Sequence, residues 1–102
     1  MRVLTGLIFT LLLAACASQS PDMFGGERRE VVVEGRDFVV FHKATEAEVV
    51  RMGYLGRAQR VDVPAQMAMA AAQATGCVVI PGSMTTRIPG DSGVARFDLD
   101  CG

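Results

Sequence analysis

The chain has 102 residues, 50% of them hydrophobic and 21% charged, with a formal net charge of −1, three cysteines, one histidine and no tryptophan. That length fits one small domain and leaves no room for a transmembrane bundle, a long coiled coil or a repeat array. The near-zero charge argues against a dedicated nucleic-acid binder, whose phosphate contacts need a marked basic excess.

Mean hydropathy is +0.31, but the apolar weight sits at the N-terminus, where Met1-Arg2 is followed by an apolar run from Val3 to Leu13 and then Ala14-Ala15-Cys16. The run is too short to span ~30 Å of hydrocarbon as a helix, which takes roughly 20 residues, so it reads as the core of a secretory signal. An ordinary signal peptide would be cut at an Ala-x-Ala-type site near Ala15 to Ala17. The closing tetrapeptide Leu13-Ala14-Ala15-Cys16, a branched apolar residue, two small residues and a cysteine, resembles the lipobox of bacterial prolipoproteins. The resemblance covers only residues 1–16. It implies that the Cys16 thiol receives a diacylglycerol, that signal peptidase II cuts before it, and that the new amine is acylated. Two or three acyl chains, at ~0.8 kcal/mol per buried CH₂, would make a durable anchor. Ala17 and Ser18 stand where an aspartate is associated with inner-membrane retention, so the same resemblance favours the bacterial outer membrane, with the domain facing the periplasm.

From Ala17 to Glu27 the chain is rich in small, polar and turn-forming residues without periodicity, which reads as a tether. It reaches at most ~40 Å when extended and nearer ~20 Å as a coil, keeping the domain close to the membrane. Met23 and Phe24 offer an apolar contact to the lipid interface. The expected organisation is a signal peptide over 1–15, a lipid-anchored tether over 16–27 and a folded domain over 28–102.

With Cys16 assigned to lipid, Cys77 and Cys101 remain, in an exported and oxidising compartment, and are expected to pair. Closing that loop would remove roughly 3.5 kcal/mol of unfolded-state freedom in the chain-entropy model. A redox-active pair would usually show Cys-x-x-Cys spacing, which this chain lacks.

Arg29 to Glu34 and Asp37 to Lys43 are β-branched and aromatic runs flanking Gly35-Arg36. A hairpin with a Gly-first type II′ turn is expected, pairing Val33 with Phe38, Val32 with Val39 and Val31 with Val40. Phe38 and Val40 then share one face and Val39 and Phe41 the other. One helical layer covers only one of those faces, leaving either pair partly exposed unless the tether or the loop 51–60 folds over it; Val39 and Phe41 are the expected partner face, an apolar patch offered to another protein. Thr45-Glu-Ala-Glu48 has capping-box form and predicts a short helix to about Tyr54. Asp62-Val63-Pro64 starts a second helix, with Val63, Met67, Ala70, Ala71 and Ala74 in one stripe and its end at Gly76. Met67 and Met69 read as core packing before a ligand groove. Cys77 to Ile80 and Val94 to Cys101 are two further strands. In the second, Ala95, Phe97, Leu99 and Cys101 alternate with Arg96, Asp98 and Asp100, and setting Cys77 opposite Cys101 sets Val79 opposite Leu99. The predicted fold class is α+β: a small two-layer domain with an antiparallel sheet of about four strands covered by helix.

Catalytic signals are weak. Gly90-Asp91-Ser92-Gly93 looks like the nucleophile motif of trypsin-like serine proteases, and His42, Asp62 and Ser92 follow that family's chain order, but the chain is far too short for two β-barrels and Val94 stands where a glycine belongs. Pro89 favours a turn. His42 has no second ligand type nearby in sequence, and with the cysteines otherwise used no metal site and no cofactor is expected. The densest basic region is Arg51, Arg57 and Arg60 around Tyr54, with Arg28 and Arg29 nearer the tether. It is solvated charge in the plain reading and, in the functional one, a contact with anionic headgroups or envelope polymer, where each basic residue adds ~1 kcal/mol. The leading expectation is a non-enzymatic envelope lipoprotein, held to the membrane by its N-terminal lipid and acting on another envelope protein or polymer. The alternative is a small periplasmic hydrolase or lytic enzyme using carboxylates and His42.

Overall fold

The structure, a computed structural model, describes residues 25–53, 55–88 and 92–102. The leader, Cys16, most of the tether, Tyr54 and Pro89-Gly90-Asp91 lie outside the described residues. The elements are β1 (Glu27–Val33), β2 (Arg36–Lys43), β3 (Glu46–Arg51), a 3-10 turn (Arg57–Arg60), α1 (Val63–Thr75), β4 (Val78–Val79) and β5 (Val94–Asp100). The strands form an antiparallel sheet in the order β1-β2-β3-β5-β4. The described residues form an α+β fold, with five strands where about four were expected.

The additional strand is β3, in place of the helix expected from Thr45. Val49 and Val50 are β-branched, and Glu46-Ala47-Glu48-Val49 alternates so that Ala47 and Val49 face the core. A helix would scatter those two buried positions, whereas a strand puts both on one side. Ala44, with φ of 52°, and Thr45 make a two-residue turn between Lys43 and Glu46, and Thr45 accepts a hydrogen bond from Leu99 N–H at its carbonyl, 2.8 Å, instead of capping a helix.

The first hairpin also differs from expectation. Its turn residues are Glu34 and Gly35, at φ 51° and 80°, the two positive values of a type I′ turn, whose twist matches the flanking strands. Val33 therefore pairs with Arg36 and Val31 with Phe38. The register is displaced by two residues, and because the side-chain period of a strand is also two, every residue keeps the face assigned to it.

On one face of the sheet, Val33, Phe38, Val40, Ala47, Val49, Ala95, Phe97 and Leu99 meet Val63, Met67, Ala70, Ala71 and Ala74 of α1 in a single core. The stripe on α1 is the one its spacing predicts, and the small alanine side chains let the helix lie close to the strands. Proline in the first turn and Gly76 at φ 73° bound the helix. Gln66 joins the buried stripe as its polar member: its amide accepts from Arg36 Nη1 (2.7 Å) and donates to Glu34 Oε2 (2.7 Å), locking the hairpin tip to the helix.

The opposite face holds a correction. Val39 and Phe41, expected as an exposed partner face, are each only 2% exposed. They form a second small cluster with the half-buried Val50 and Met52, which the unforeseen β3 brings alongside them. Arg28 and Glu30 of β1 and Glu48 of β3 occupy the flanking register positions. With Val39 and Phe41 both buried and Val50 and Met52 packed against them, the docking argument built on an open apolar face of β2 loses its basis.

Candidate functional site

Among the described residues, two regions bring chemistry-bearing side chains together. The first lies at the end of the sheet where β2 turns into β3. Leu99 N–H holds the Thr45 carbonyl there, so the end of β2 and the end of β5 are neighbours. β4 pairs Val78 with Asp100 and Val79 with Leu99, the register expected from the sequence, and the next pair is Cys77 and Cys101, joined as a disulfide with Cα atoms 4.5 Å apart. Cys77 is fixed on the helix side as well: its N–H donates to Thr75 Oγ1 (3.1 Å), whose own proton goes to the Ala71 carbonyl (2.7 Å).

His42 belongs to this end. A ring nitrogen of His42 and the sulfurs of Cys77 and Cys101 all lie within 4.8 Å of one another. Its Nε2 is 2.9 Å from the Ala44 carbonyl oxygen. A carbonyl only accepts, so Nε2 carries the proton and the lone pair of the neutral ring is on Nδ1. An open groove of about 550 Å³ adjoins the histidine, lined among others by Glu27, Arg29, Lys43 and Gln73. Glu27 is the register partner of His42 and is ion-paired with Arg29 at 3.6 Å. The sequence reading placed His42 alone; strand order was the missing information, since β5 must lie beside β3 before residue 101 can approach residue 42.

The second region is the basic stretch. Of Arg51, Arg57 and Arg60, the structure separates the first from the others. Arg51 is half-buried, with Nε donating to Ser92 O (2.9 Å), Nη1 to Gly53 O (3.0 Å) and Nη2 to Ser92 Oγ (3.4 Å). It ties the end of β3 to the approach of β5 and is a structural residue in place of the expected surface contact. Arg57 and Arg60 are exposed on the 3-10 turn. They line an open groove of about 450 Å³ with Val61, Pro64, Met84, Thr86 and Ser92. Val61 is 77% exposed and Met84 is exposed as well. These apolar members were not foreseen, because nothing in the sequence brings Met84 to the 3-10 turn.

Ser92 and His42 are at opposite ends of the molecule's long strands. Ser92 precedes β5, His42 sits beside Cys101 beyond its far end, and the seven residues of β5 span about 20 Å. The protease-like motif is therefore no triad here, and Ser92 serves as an acceptor for Arg51. Among the described residues, no helix is long and apolar enough to cross a membrane. No protein-family model, curated protein or solved structure matches the chain.

Proposed function

We propose that the chain is a membrane-anchored envelope lipoprotein whose small folded module binds rather than catalyses, using the groove at Arg57 and Arg60 to contact anionic headgroups of the surface that holds it. The lipobox-like Leu13-Ala14-Ala15-Cys16 supports the anchor. The observation that carries the binding reading is the pairing, in one open groove, of two exposed guanidinium groups with the exposed apolar side chains of Val61 and Met84. Anionic headgroups over a shallow hydrocarbon boundary complement that surface in both charge and polarity. Two basic residues at ~1 kcal/mol each give about 2 kcal/mol, roughly thirtyfold in affinity. Such a contact is weak alone and sufficient once a lipid has fixed the domain at the surface.

Vesicle sedimentation of the mature sequence, residues 16–102 with Cys16→Ala, isolates the groove from both the lipid anchor and the apolar leader. Binding to vesicles containing anionic lipid is expected, with little binding to zwitterionic ones, and Arg57→Glu with Arg60→Glu should lower it at least about thirtyfold. Equal binding to both vesicle types, or a double variant that binds like its parent, contradicts the reading.

A hydrolytic role has one observation in its favour, the shared groove of Glu27 and His42. The binding reading is preferred because Glu27 is engaged by Arg29 and the Nε2 proton of His42 by Ala44.

A further inference from the structure

The meeting of His42 with Cys77 and Cys101 carries an inference independent of the groove at Arg57. We propose that reducing the Cys77–Cys101 disulfide converts this corner of the fold into a Zn²⁺ site, with two thiolates and the His42 imidazole as ligands and a fourth position open to water. Three donors of the type zinc prefers are already within 4.8 Å of one another. In a tetrahedral site with Zn–S near 2.3 Å and Zn–N near 2.0 Å, ligand atoms stand roughly 3.5 to 3.8 Å apart. Once the sulfurs separate, a modest contraction of the histidine toward them completes the set. Cys101 is exposed and lies just beyond β5, so it can move outward without breaking a strand pair, while Thr75 holds the backbone of Cys77 in place.

With Nδ1 as its ligand atom, the histidine has the outer-shell support of a metal ligand. Ligating imidazoles commonly give their other ring N–H to a backbone carbonyl, which fixes the tautomer and raises ligand basicity. The bond from His42 Nε2 to Ala44 O does this before any ion arrives. Charge is also consistent: two thiolates cancel the dication, so the nearby Lys43 and Arg29 face a site of no net charge. The chemistry balances with a dithiol reductant. It delivers two electrons and two protons to the disulfide and leaves as its own cyclic disulfide. Zn²⁺ then replaces the two thiol protons, which pass to solvent.

The test uses the full chain carrying Cys16→Ala, so that no third thiol takes part, titrated anaerobically with Co²⁺ as a spectroscopic stand-in and then with Zn²⁺. The reduced chain should bind one Co²⁺ with thiolate-to-cobalt charge-transfer bands and four-coordinate d–d bands, all displaced by Zn²⁺. The oxidised chain should show none. Both His42→Ala and His42→Gln, the second of which keeps a donor for the Ala44 carbonyl, should weaken binding at least about tenfold and shift the d–d bands. Far-UV circular dichroism of the reduced chain should keep its strand signal as metal is added. Absence of charge-transfer bands overturns the proposal, as does a histidine variant that binds unchanged, or binding only after the strand signal is lost.

Discussion

Gln66 is 4% exposed within an otherwise apolar stripe, and both ends of its amide are committed to charged partners at the hairpin tip. Hydrogen bonds to charged groups contribute ~1.5 to 3 kcal/mol each, and an orphaned partner adds its own desolvation cost where it is buried. Arg36 is only half-buried, so water recovers part of the loss. Gln66→Ala is expected to lower stability by about 2 to 3 kcal/mol in urea unfolding, while Gln66→Glu, which places an acid beside Glu34, should do at least as much harm. A loss under about 0.5 kcal/mol would show that the bridge is incidental. Ala44 presents the opposite case. It adopts φ of 52° without being glycine, a conformation costing a side-chain-bearing residue ~1 to 2 kcal/mol. Ala44→Gly should recover part of that strain, less the extra freedom gained by the unfolded chain, for a net gain of up to about 1 kcal/mol in the same measurement.

At the scale of elements, β2 decides the fold. Its four consecutive residues Phe38 to Phe41 are all buried, alternating between the helix-covered core and the smaller cluster behind it. Val39→Asp is therefore expected to cost more than about 3 kcal/mol and to compromise folding, because it buries a carboxylate among apolar groups. A variant that folds normally by circular dichroism and thermal melting would reopen Val39 as a surface. The disulfide acts on the other edge, where β4 has only two residues and little else to hold it. Reduction should lower stability by ~2 to 5 kcal/mol; an unchanged melting temperature after reduction would deny the bridge a structural role. The helix α1 and the strand β5 were legible because each repeats its pattern over enough residues to fix a face, and the Val79–Leu99 register because it follows from setting Cys77 opposite Cys101. Glu46 to Arg51 was not. The Thr45-x-x-Glu48 signature is a local preference worth about a kilocalorie, and the pairing of Val49 and Val50 between β2 and β5 outweighs it. Without β3, what lies beside Val39 and Phe41 is hidden as well, and the turn expected at Gly35-Arg36 falls instead at Glu34-Gly35 because Glu34, a residue type that rarely does so, takes a positive φ.

For the molecule as a whole, the two ends of the sheet hold different groups. One carries the disulfide and His42, and the other carries the Arg51–Ser92 tie. Neither site was legible as a cluster, since each depends on strand order, which composition and periodicity do not encode. The charged β1, with Arg28 paired to Glu30 and Arg29 to Glu27, presents an edge unsuited to pairing with another strand, a common defence against aggregation. That leaves the groove at Arg57 and Arg60 as the contact we propose, and its use depends on the domain being kept at a membrane. Attachment through Cys16 is thus the central claim. Mass spectrometry of the mature chain purified from its own envelope tests it most directly. A first residue of Cys16 carrying a diacylglyceryl thioether and an acylated amine is predicted. A mature chain that begins at unmodified Ala17, or one that retains residues before Cys16 with a free thiol, would contradict the account.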